Sequence, residues 1–408
     1  IGTCLVGSEM CIRDSINSVQ NTNRDNRRIV RIMHKTLLII LIVLGTQVSA
    51  FEKIKGTSGS DLYAKAVAQF SYPWAMTFIT EDFLLITTKP GKLWLVTKDG
   101  KKRQVTGVPK PFVIGQGGLG DVVAHPSFKN NQFVYLSLVQ SADNGVTKSA
   151  VVMRGKLLLS ESPTLTELET IWTQMPAKRG SGHFSQKIAF GPMGSDHEGK
   201  LFITSGDRQA KIVSQQWDMA LGKIIRLNDD GTLPADNPFQ DKGELAKSFW
   251  TLGHRNALGI AFDANNKLWA NEMGPKHGDE LNLIERGQNY GWPIVSNGNH
   301  YDGTAIPAHD TRPEFAAPKA YWVPTIAPSG LVIYSGKHFL NWQGDAFMGG
   351  LKSRALIRVG IDGNMAKEAE RFEWGMRIRE VEEGPDGLLW VLEDDTNGRL
   401  IKLKGLDR

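Results

Sequence analysis

Cysteine is almost absent from this sequence of 408 residues, which contains only Cys4 and Cys11. From residue 51 onwards the chain therefore has no disulfide, no thiol nucleophile and no cysteine metal ligand. An excess of one charge is also missing: without residues 1–50, which hold six Lys or Arg and three Asp or Glu, 42 basic residues face 40 acidic ones. This balance gives no reason to expect a nucleic-acid partner.

Long apolar runs are lacking as well. The run from Thr36 to Leu44 is well short of the roughly 20 residues that a membrane span needs. It follows a short basic region that begins at Met33, and small residues from Gly45 to Ala50 come after it, which is typical of a secretory signal peptide. An uncleaved N-terminal anchor is the alternative.

These features predict three segments. We interpret residues 1–32 as a non-native upstream segment, residues 33–50 as the signal peptide and residues 51–408 as a single domain. We expect a periplasmic or secreted protein with no stable membrane span after cleavage. No Gly-X-Gly-X-X-Gly motif lies between a predicted strand and a predicted helix, which argues against a nicotinamide cofactor.

Glycine and tryptophan are plentiful, with 43 and 11 residues. Turns containing Gly or Asn lead into short apolar strands with an aromatic residue, in six places: GKLWLVT (91–97), QFVYLSL (132–138), GKLFITS (199–205), NKLWANE (266–272), DAFMGGL (345–351) and GLLWVLE (387–393). Such a pattern predicts an all-β fold, a six-bladed β-propeller of four-stranded antiparallel blades. A β-barrel and a double sandwich remain alternatives, because they also contain short alternating strands.

Eight segments combine glycine with polar residues, as functional loops of a propeller do. They are 115–128, 181–192, 205–208, 252–263, 272–293, 323–330, 349–359 and 376–387. Their order and content resemble the soluble glucose and aldose sugar dehydrogenases that depend on pyrroloquinoline quinone (PQQ), a family of six-bladed propellers. The likeness extends from Pro73-Trp74 to the C-terminus.

The resemblance implies a catalytic pair. His183 would remove the proton from the anomeric hydroxyl of a sugar while hydride passes to the quinone, and a histidine has the near-neutral pKa that this role requires. Asp207 would orient the histidine and stabilise its imidazolium form.

The resemblance also implies a set of cofactor-binding residues. PQQ carries three carboxylates, and Lys352, Arg377 and Arg379 match the cations that bind it. Arg377 and Arg379 are two residues apart, so on a strand they share one face. Further polar positions used around cofactor and substrate are matched by Gln116, Arg255, Asn256 and Thr325.

Calcium is the second implied cofactor, because a hard cation makes the quinone more electrophilic. The resemblance assigns it to the backbone carbonyls of Gly274 and Pro275. A second, structural Ca²⁺ in relatives matches the Glu280 side chain and the Tyr290 carbonyl.

Three positions depart from the family pattern. Met273 stands where relatives usually have a polar residue or histidine, and Lys187 replaces a usual arginine. Gly182 stands where the glucose-specific branch has an aspartate that contacts sugar, which favours the broader aldose branch.

We therefore expect an enzyme that oxidises aldose sugars to lactones with PQQ and Ca²⁺ and passes the electrons to an external, non-nicotinamide acceptor, as a monomer or homodimer. A calcium-dependent propeller lactonase is one alternative, although the candidate channel residues are mostly Arg, Lys, Asn, Gln and His rather than carboxylates. A non-catalytic carbohydrate-binding propeller is the other.

Overall fold

The structure, a computed structural model, describes residues 51–405. Within this range the chain forms 25 strands in six antiparallel sheets and only short helical turns. The predicted boundaries at residues 32 and 50 lie outside the described residues. The all-β class is confirmed.

Each sheet is one blade, and the first five blades each use four consecutive strands. Blade 1 comprises β3 (Pro73–Phe78), β4 (Phe83–Thr88), β5 (Lys92–Thr97) and β6 (Lys102–Val105). Blade 2 comprises β7 (Leu119–Ala124), β8 (Phe133–Gln140), β9 (Ser149–Leu158) and β10 (Thr164–Thr173). Blade 3 comprises β11 (Ser185–Phe190), β12 (Lys200–Ser205), β13 (Lys223–Asn228) and β14 (Phe249–Leu252).

The remaining blades complete the ring. Blade 4 comprises β15 (Ala257–Phe262), β16 (Leu268–Glu272), β17 (Asp279–Ile284) and β18 (Ala320–Trp322). Blade 5 comprises β19 (Pro328–Ile333), β20 (Ala346–Gly350), β21 (Ala355–Asp362) and β22 (Met365–Glu373). Blade 6 comprises β23 (Ile378–Glu383), β24 (Leu389–Glu393), β25 (Gly398–Lys404), β2 (Asp61–Phe70) and β1 (Glu52–Lys55).

Blade 6 joins the two ends of the described chain. Strand β2 pairs with β25, so an early strand completes a blade whose other main strands come last in the sequence. Strand β1 then pairs with β2 as an additional outer strand. The six four-stranded antiparallel blades are therefore confirmed, and one of them has a fifth strand.

The innermost strands β3, β7, β11, β15, β19 and β23 contact one another in a closed ring around a central channel. Alternate side chains of each strand point to opposite faces of its sheet, so each blade packs against both neighbours. Six apolar clusters fill the six interfaces between blades. Burial of these side chains from water holds the ring closed.

The six aromatic segments are all strands, but one of them has a different position in its blade. Five are the second strand of a blade, whereas GKLWLVT forms β5, the third strand of blade 1. The second strand there is β4, in which Leu85 pairs with Thr77 as Trp390 pairs with Glu382 in blade 6. Leu85 is fully buried without being aromatic, so the aromatic pattern does not identify it.

Helical structure is confined to short turns. They are one α-helix, α1 (Phe128–Asn131), and 3-10 turns at Lys211–Gln215, Ala246–Ser248, His309–Thr311 and Leu340–Trp342. No helix within residues 51–405 has the length and apolar composition to cross a membrane. The glycines at 115–120, whose spacing matches a dinucleotide-binding motif, lead into strand β7 and not into a helix.

Candidate active site

Two cavities lie at the end of the propeller where the innermost strands begin, which we call the mouth. The larger cavity has a volume of about 460 Å³ and is lined by residues from all six blades or the loops before them, including Trp74, Gln116 and Lys352. The smaller cavity has a volume of about 340 Å³ and is lined by His183, Asp207 and Arg255, among others. The predicted catalytic pair therefore lines the smaller cavity, and five of the seven predicted cofactor-binding residues line the larger one.

His183 and Asp207 form a buried pair at the smaller cavity. The His183 Nδ1 atom lies 2.7 Å from the Asp207 Oδ1 atom. Asp207 also accepts hydrogen bonds from the Trp292 indole, at 2.8 Å, and from the Gln209 backbone N–H, at 2.7 Å. With Asp207 ionised, Nδ1 of the neutral histidine carries the proton, so Nε2 is left as an acceptor at the cavity wall.

The loop that carries His183 has an unusual backbone. His183, Ser185 and Gln186 all have positive φ, with His183 at +49°. Left-handed backbone at non-glycine residues costs free energy and persists only where surrounding contacts enforce it. The opposing turn has the same feature at Arg208 and Gln209.

Arg208 supplies the enforcing contacts. Its guanidinium donates hydrogen bonds to the carbonyls of Gly182, Lys148 and Gly180 at 3.0, 2.8 and 3.1 Å. It also lies 3.7 Å from the centre of the Phe184 ring. Burial lowers the pKa of Arg208 to about 10, which still leaves it charged at neutral pH. Arg208 is thus a positioning residue for the histidine loop.

The larger cavity has an excess of positive charge. Its lining includes four cationic side chains and one carboxylate: Lys89, Lys352, Arg377, Arg379 and Asp394. The formal excess is therefore three positive charges. Such an arrangement suits a polyanionic ligand.

The two arginines of this cavity converge on one carboxylate. Arg377 Nε and the Arg379 guanidinium donate to Asp394 Oδ2 at 2.8 and 2.9 Å, consistent with their predicted common face. Burial alone would raise the pKa of Asp394, but the two guanidinium groups outweigh burial and hold it below its ordinary value. Arg379 also lies over the ring of Trp74, 4.1 Å from its centre.

The ammonium group of Lys352 is in a different situation. Lys352 is exposed at the edge of the larger cavity, and its ammonium has no hydrogen-bond or ion-pair partner among the described residues. Of the cations in this cavity, it is the one most available to a ligand.

Two of the predicted polar residues line the larger cavity. Gln116 accepts a hydrogen bond from the His183 backbone N–H at 2.7 Å and so joins the cavity to the histidine loop. Asn256 accepts one from the Ser185 hydroxyl at 3.1 Å.

The other two are placed elsewhere. Arg255 lines the smaller cavity, where it lies over Trp292 and donates to the Tyr301 hydroxyl at 3.3 Å. Thr325 lines neither cavity, and its hydroxyl donates a hydrogen bond to Asp279 at 2.5 Å. Asp279 also accepts the backbone N–H groups of Gly274 and Ala327, so it fixes the loops on both sides of it.

The four predicted calcium-binding residues surround one small void. Gly274, Pro275, Glu280 and Tyr290 all line a space of about 10 Å³, enough for a single water-sized species. Glu280 is buried, and its carboxylate accepts a hydrogen bond from the Asn282 amide at 3.1 Å and lies 3.4 Å from His309 Nε2. Both ring nitrogens of His309 lack a hydrogen-bond partner. A buried carboxylate and nearby carbonyls are the ligand types that Ca²⁺ prefers.

The three departures from the family pattern differ in position. Met273 lines the larger cavity, and its sulfur lies 3.8 Å from the Asn256 amide nitrogen. A β-carbon on Gly182 would meet the side chain of Gln209, a residue of the smaller cavity, at 3.0 Å. Lys187 lines neither cavity.

Several site residues were missed from the sequence. Trp74 and Trp292 lie in segments that resemble the dehydrogenase family, but the sequence predicts no role for either. Asp394 directly follows the last of the six aromatic segments, a position at which a strand ends near the mouth. Lys89 and Arg208 carried no recognisable signal, since a lysine after a strand and an arginine in a turn are common on surfaces.

Comparison with known proteins gives consistent results. A sequence model described as glucose/sorbosone dehydrogenase matches residues 70–402. The aldose sugar dehydrogenase YliI of Escherichia coli is 36% identical over 346 residues, which cover 82% of this chain and 90% of the relative.

Solved structures extend the likeness to the fold. The crystal structure of the soluble aldose sugar dehydrogenase of Escherichia coli in its apo form has a TM-score of 0.79 and 34% identity, covering 84% of this chain and 99% of that one. The PQQ-bound aldose sugar dehydrogenase of Streptomyces coelicolor has a TM-score of 0.70 and 26% identity, covering 86% and 98%.

Proposed function

This chain belongs to the glucose and sorbosone dehydrogenase family, and we propose that it is a PQQ- and calcium-dependent aldose dehydrogenase. It would oxidise the anomeric hydroxyl of an aldose to the lactone and pass the electrons to a non-nicotinamide acceptor. The observation that carries the proposal is a buried His183–Asp207 pair at one cavity, connected through Gln116 to a second cavity with an excess of positive charge.

The larger cavity fits PQQ by charge. The cofactor's three carboxylates would balance the three excess positive charges of the lining. Lys352 would bind one carboxylate directly, because its ammonium is otherwise unpaired. Arg377 and Arg379 are held in place by Asp394 and could each donate to the ligand with their remaining N–H groups. When bound, PQQ supplies the hydride acceptor.

In this proposal His183 is the catalytic base. Its Nε2 atom accepts the proton of the anomeric hydroxyl as hydride leaves the anomeric carbon, so the sugar loses two electrons and two hydrogens and becomes a lactone. Asp207 keeps the proton of the resting histidine on Nδ1 and stabilises the imidazolium that forms. The bonds from Trp292 and Gln209 hold Asp207 rigid and satisfy its buried charge.

Calcium is proposed for the void between Gly274, Pro275, Glu280 and Tyr290. The buried Glu280 carboxylate would supply the ion with a charged oxygen ligand. Bound Ca²⁺ draws charge from oxygen atoms that face it. The resemblance assigns a catalytic ion to Gly274 and Pro275 and a structural ion to Glu280 and Tyr290, and both assignments are predictions.

The first experiment is reconstitution. The purified protein, incubated with PQQ and Ca²⁺, should reduce an artificial dye when aldoses are added, and His183→Ala should lose turnover while keeping PQQ affinity. No dye reduction with any aldose would contradict the dehydrogenase. Consumption of an aldonolactone would favour a lactonase, and PQQ binding without turnover would favour a non-catalytic propeller. We also propose a periplasmic or secreted location, based on residues 33–50.

A further inference from the structure

The charges of the propeller differ between its two ends. At the mouth, five exposed basic residues stand in loops around the cavities, and we call them the cationic rim: Lys110, Arg179, Lys211, Lys276 and Arg354. None of the five forms an ion pair with a described acidic residue. Their charges therefore face the solvent without an ion-pair partner.

The opposite end is rich in exposed carboxylates. They lie in the turns that connect first to second and third to fourth strands, and include Glu81, Asp82, Asp99, Glu161, Asp196, Glu198, Asp230, Asp236, Asp241 and Glu244. Some lysines at this end, such as Lys98 and Lys242, pair with neighbouring acids at 3.6 and 3.1 Å, whereas others, such as Lys129, are exposed without an ion pair to a described residue. The opposite end therefore has exposed charges of both signs, unlike the cationic rim.

The mouth also has some acidic side chains, but their hydrogen bonds are local. Asp143 accepts hydrogen bonds from Ser141 and Thr147 of its own turn. Asp302 and Asp395 accept backbone N–H groups two residues further along the chain. Asp302 is close enough to Lys211 for their charges to interact, but none of the three forms an ion pair with a residue of the cationic rim.

Apolar side chains are exposed within this rim. Tyr72, which lines the larger cavity, is 42% exposed, and Met376, next to Arg377, is 37% exposed. Val113, two residues before the cavity residue Gly115, is 50% exposed. An apolar centre surrounded by charged residues is the composition of a protein-binding surface, and weak redox encounters use small surfaces of this kind.

We propose that the mouth is the docking surface for an acidic, one-electron carrier protein. The inference rests on the proposed function, which releases two electrons and two protons for each sugar oxidised and so requires two molecules of such a carrier per turnover. The larger cavity opens at the mouth, and electrons can leave the site over the shortest distance there. Charge complementarity with the cationic rim selects an acidic carrier.

The test compares three acceptors: an acidic plastocyanin, a basic cytochrome c and an uncharged dye. The holoprotein should reduce the plastocyanin at least tenfold faster than the cytochrome at low ionic strength, and added salt should reduce this preference. The triple variant Lys110→Glu, Arg179→Glu, Arg354→Glu should lower kcat/KM for plastocyanin about tenfold or more and leave dye reduction unchanged.

A second triple variant provides the matched control. Lys55, Lys129 and Lys367 are exposed residues at the opposite end, and their replacement by glutamate changes the net charge by the same amount. This control should change kcat/KM for plastocyanin by less than about twofold, because its charges lie about a protein diameter from the mouth, beyond the Debye length. If both triple variants lower kcat/KM for plastocyanin equally, the net charge of the protein determines the rate, and the mouth is not the docking surface.

The remaining outcomes separate this proposal from the function on which it rests. Dye reduction without any preference for plastocyanin would overturn the docking surface and leave the dehydrogenase intact. A rim variant that reduces plastocyanin at the unchanged rate would do the same. Failure of the wild-type protein to reduce the dye with any sugar would overturn both.

Discussion

The central channel has charged residues at its mouth and at its waist, and the two regions differ in how these charges are paired. We define the waist by Lys187, Asp121, Glu380 and Glu382, which come from innermost strands of three blades. Lys187 Nζ lies 2.8 Å from Asp121 Oδ1 and also donates to Glu380. At the mouth, by contrast, the larger cavity has three more cations than carboxylates.

The difference separates scaffold from site. A buried charge without a partner is costly, so Lys187 pairs with carboxylates of two other blades and holds these blades together. Burial alone would lower the pKa of Lys187, but the carboxylates of Asp121 and Glu380 outweigh burial and raise it. Lys187 therefore stays charged at the waist. The uncompensated cations of the mouth require another explanation, and a bound polyanion provides it.

The strongest test of this division is His183→Ala at the mouth. Removal of a general base should lower turnover by about 10² to 10⁴-fold. The unfolding free energy should fall by only about 1–3 kcal/mol, because Trp292 and Gln209 still donate to Asp207. Sugar-dependent dye reduction and urea unfolding measure the two effects. His338→Ala, an exposed histidine at the opposite end, is the control. A loss of stability without a loss of turnover would mean that His183 belongs to the scaffold.

Lys187→Met should have the opposite effect. It leaves Asp121 and Glu380 without their shared cation, so the unfolding free energy should fall by about 3–5 kcal/mol. Lys352→Met at the mouth is the matched comparison and should leave stability within about 0.5 kcal/mol, because Lys352 is exposed and unpaired. Denaturant unfolding of both variants without PQQ decides the point. Equal losses would contradict the division between mouth and waist.

The fold was largely predictable from the sequence. Short strands repeat with turns between them, and only stacked blades bury both faces of each sheet. The position of the strand 91–97 in its blade was not predictable, because the true second strand of blade 1 has Leu85 in place of an aromatic residue. The extra strand β1 was also missed, since a single short strand at a sheet edge has no repeat to identify it.

The site was predictable as a set of residues but not as an arrangement. Nothing in the sequence separates Arg255, at the smaller cavity, from Asn256, at the larger one. Simple alternation along a strand does not explain why Arg377 and Arg379 reach the same carboxylate. Arg377 precedes strand β23, and Arg379 lies at a β-bulge between Ile378 and Glu380. The partners of Lys187 are distant in sequence, so the sequence does not reveal that this departure from the family pattern belongs to the waist.

Lys352→Met also tests the mouth directly through cofactor affinity. Hydrogen bonds to charged groups contribute about 1.5–3 kcal/mol, so the Kd for PQQ should rise about 10 to 100-fold. Equilibrium titration of the protein with PQQ measures the change. Lys129→Met, at the opposite end, should leave the Kd unaltered. If Lys352→Met binds PQQ as tightly as the wild type, Lys352 does not bind a carboxylate of the cofactor.

The pH dependence of the waist provides a further test of the comparison. Burial, together with the charge of Glu380, raises the pKa of Glu382 to about 8 from an ordinary value near 4.5. The native state therefore holds the proton of Glu382 more tightly than the unfolded chain. This contribution to stability is complete below pH 4.5 and is lost as the pH rises through about 8.

Glu382→Gln, which mimics the protonated side chain, should thus gain stability relative to the wild type as the pH rises, in urea unfolding from pH 5 to 9. Glu81→Gln, on an exposed turn, is the control. A difference between Glu382→Gln and wild type that stays constant over this range would mean that the waist holds Glu382 ionised, and that its charges are better compensated than the structure indicates.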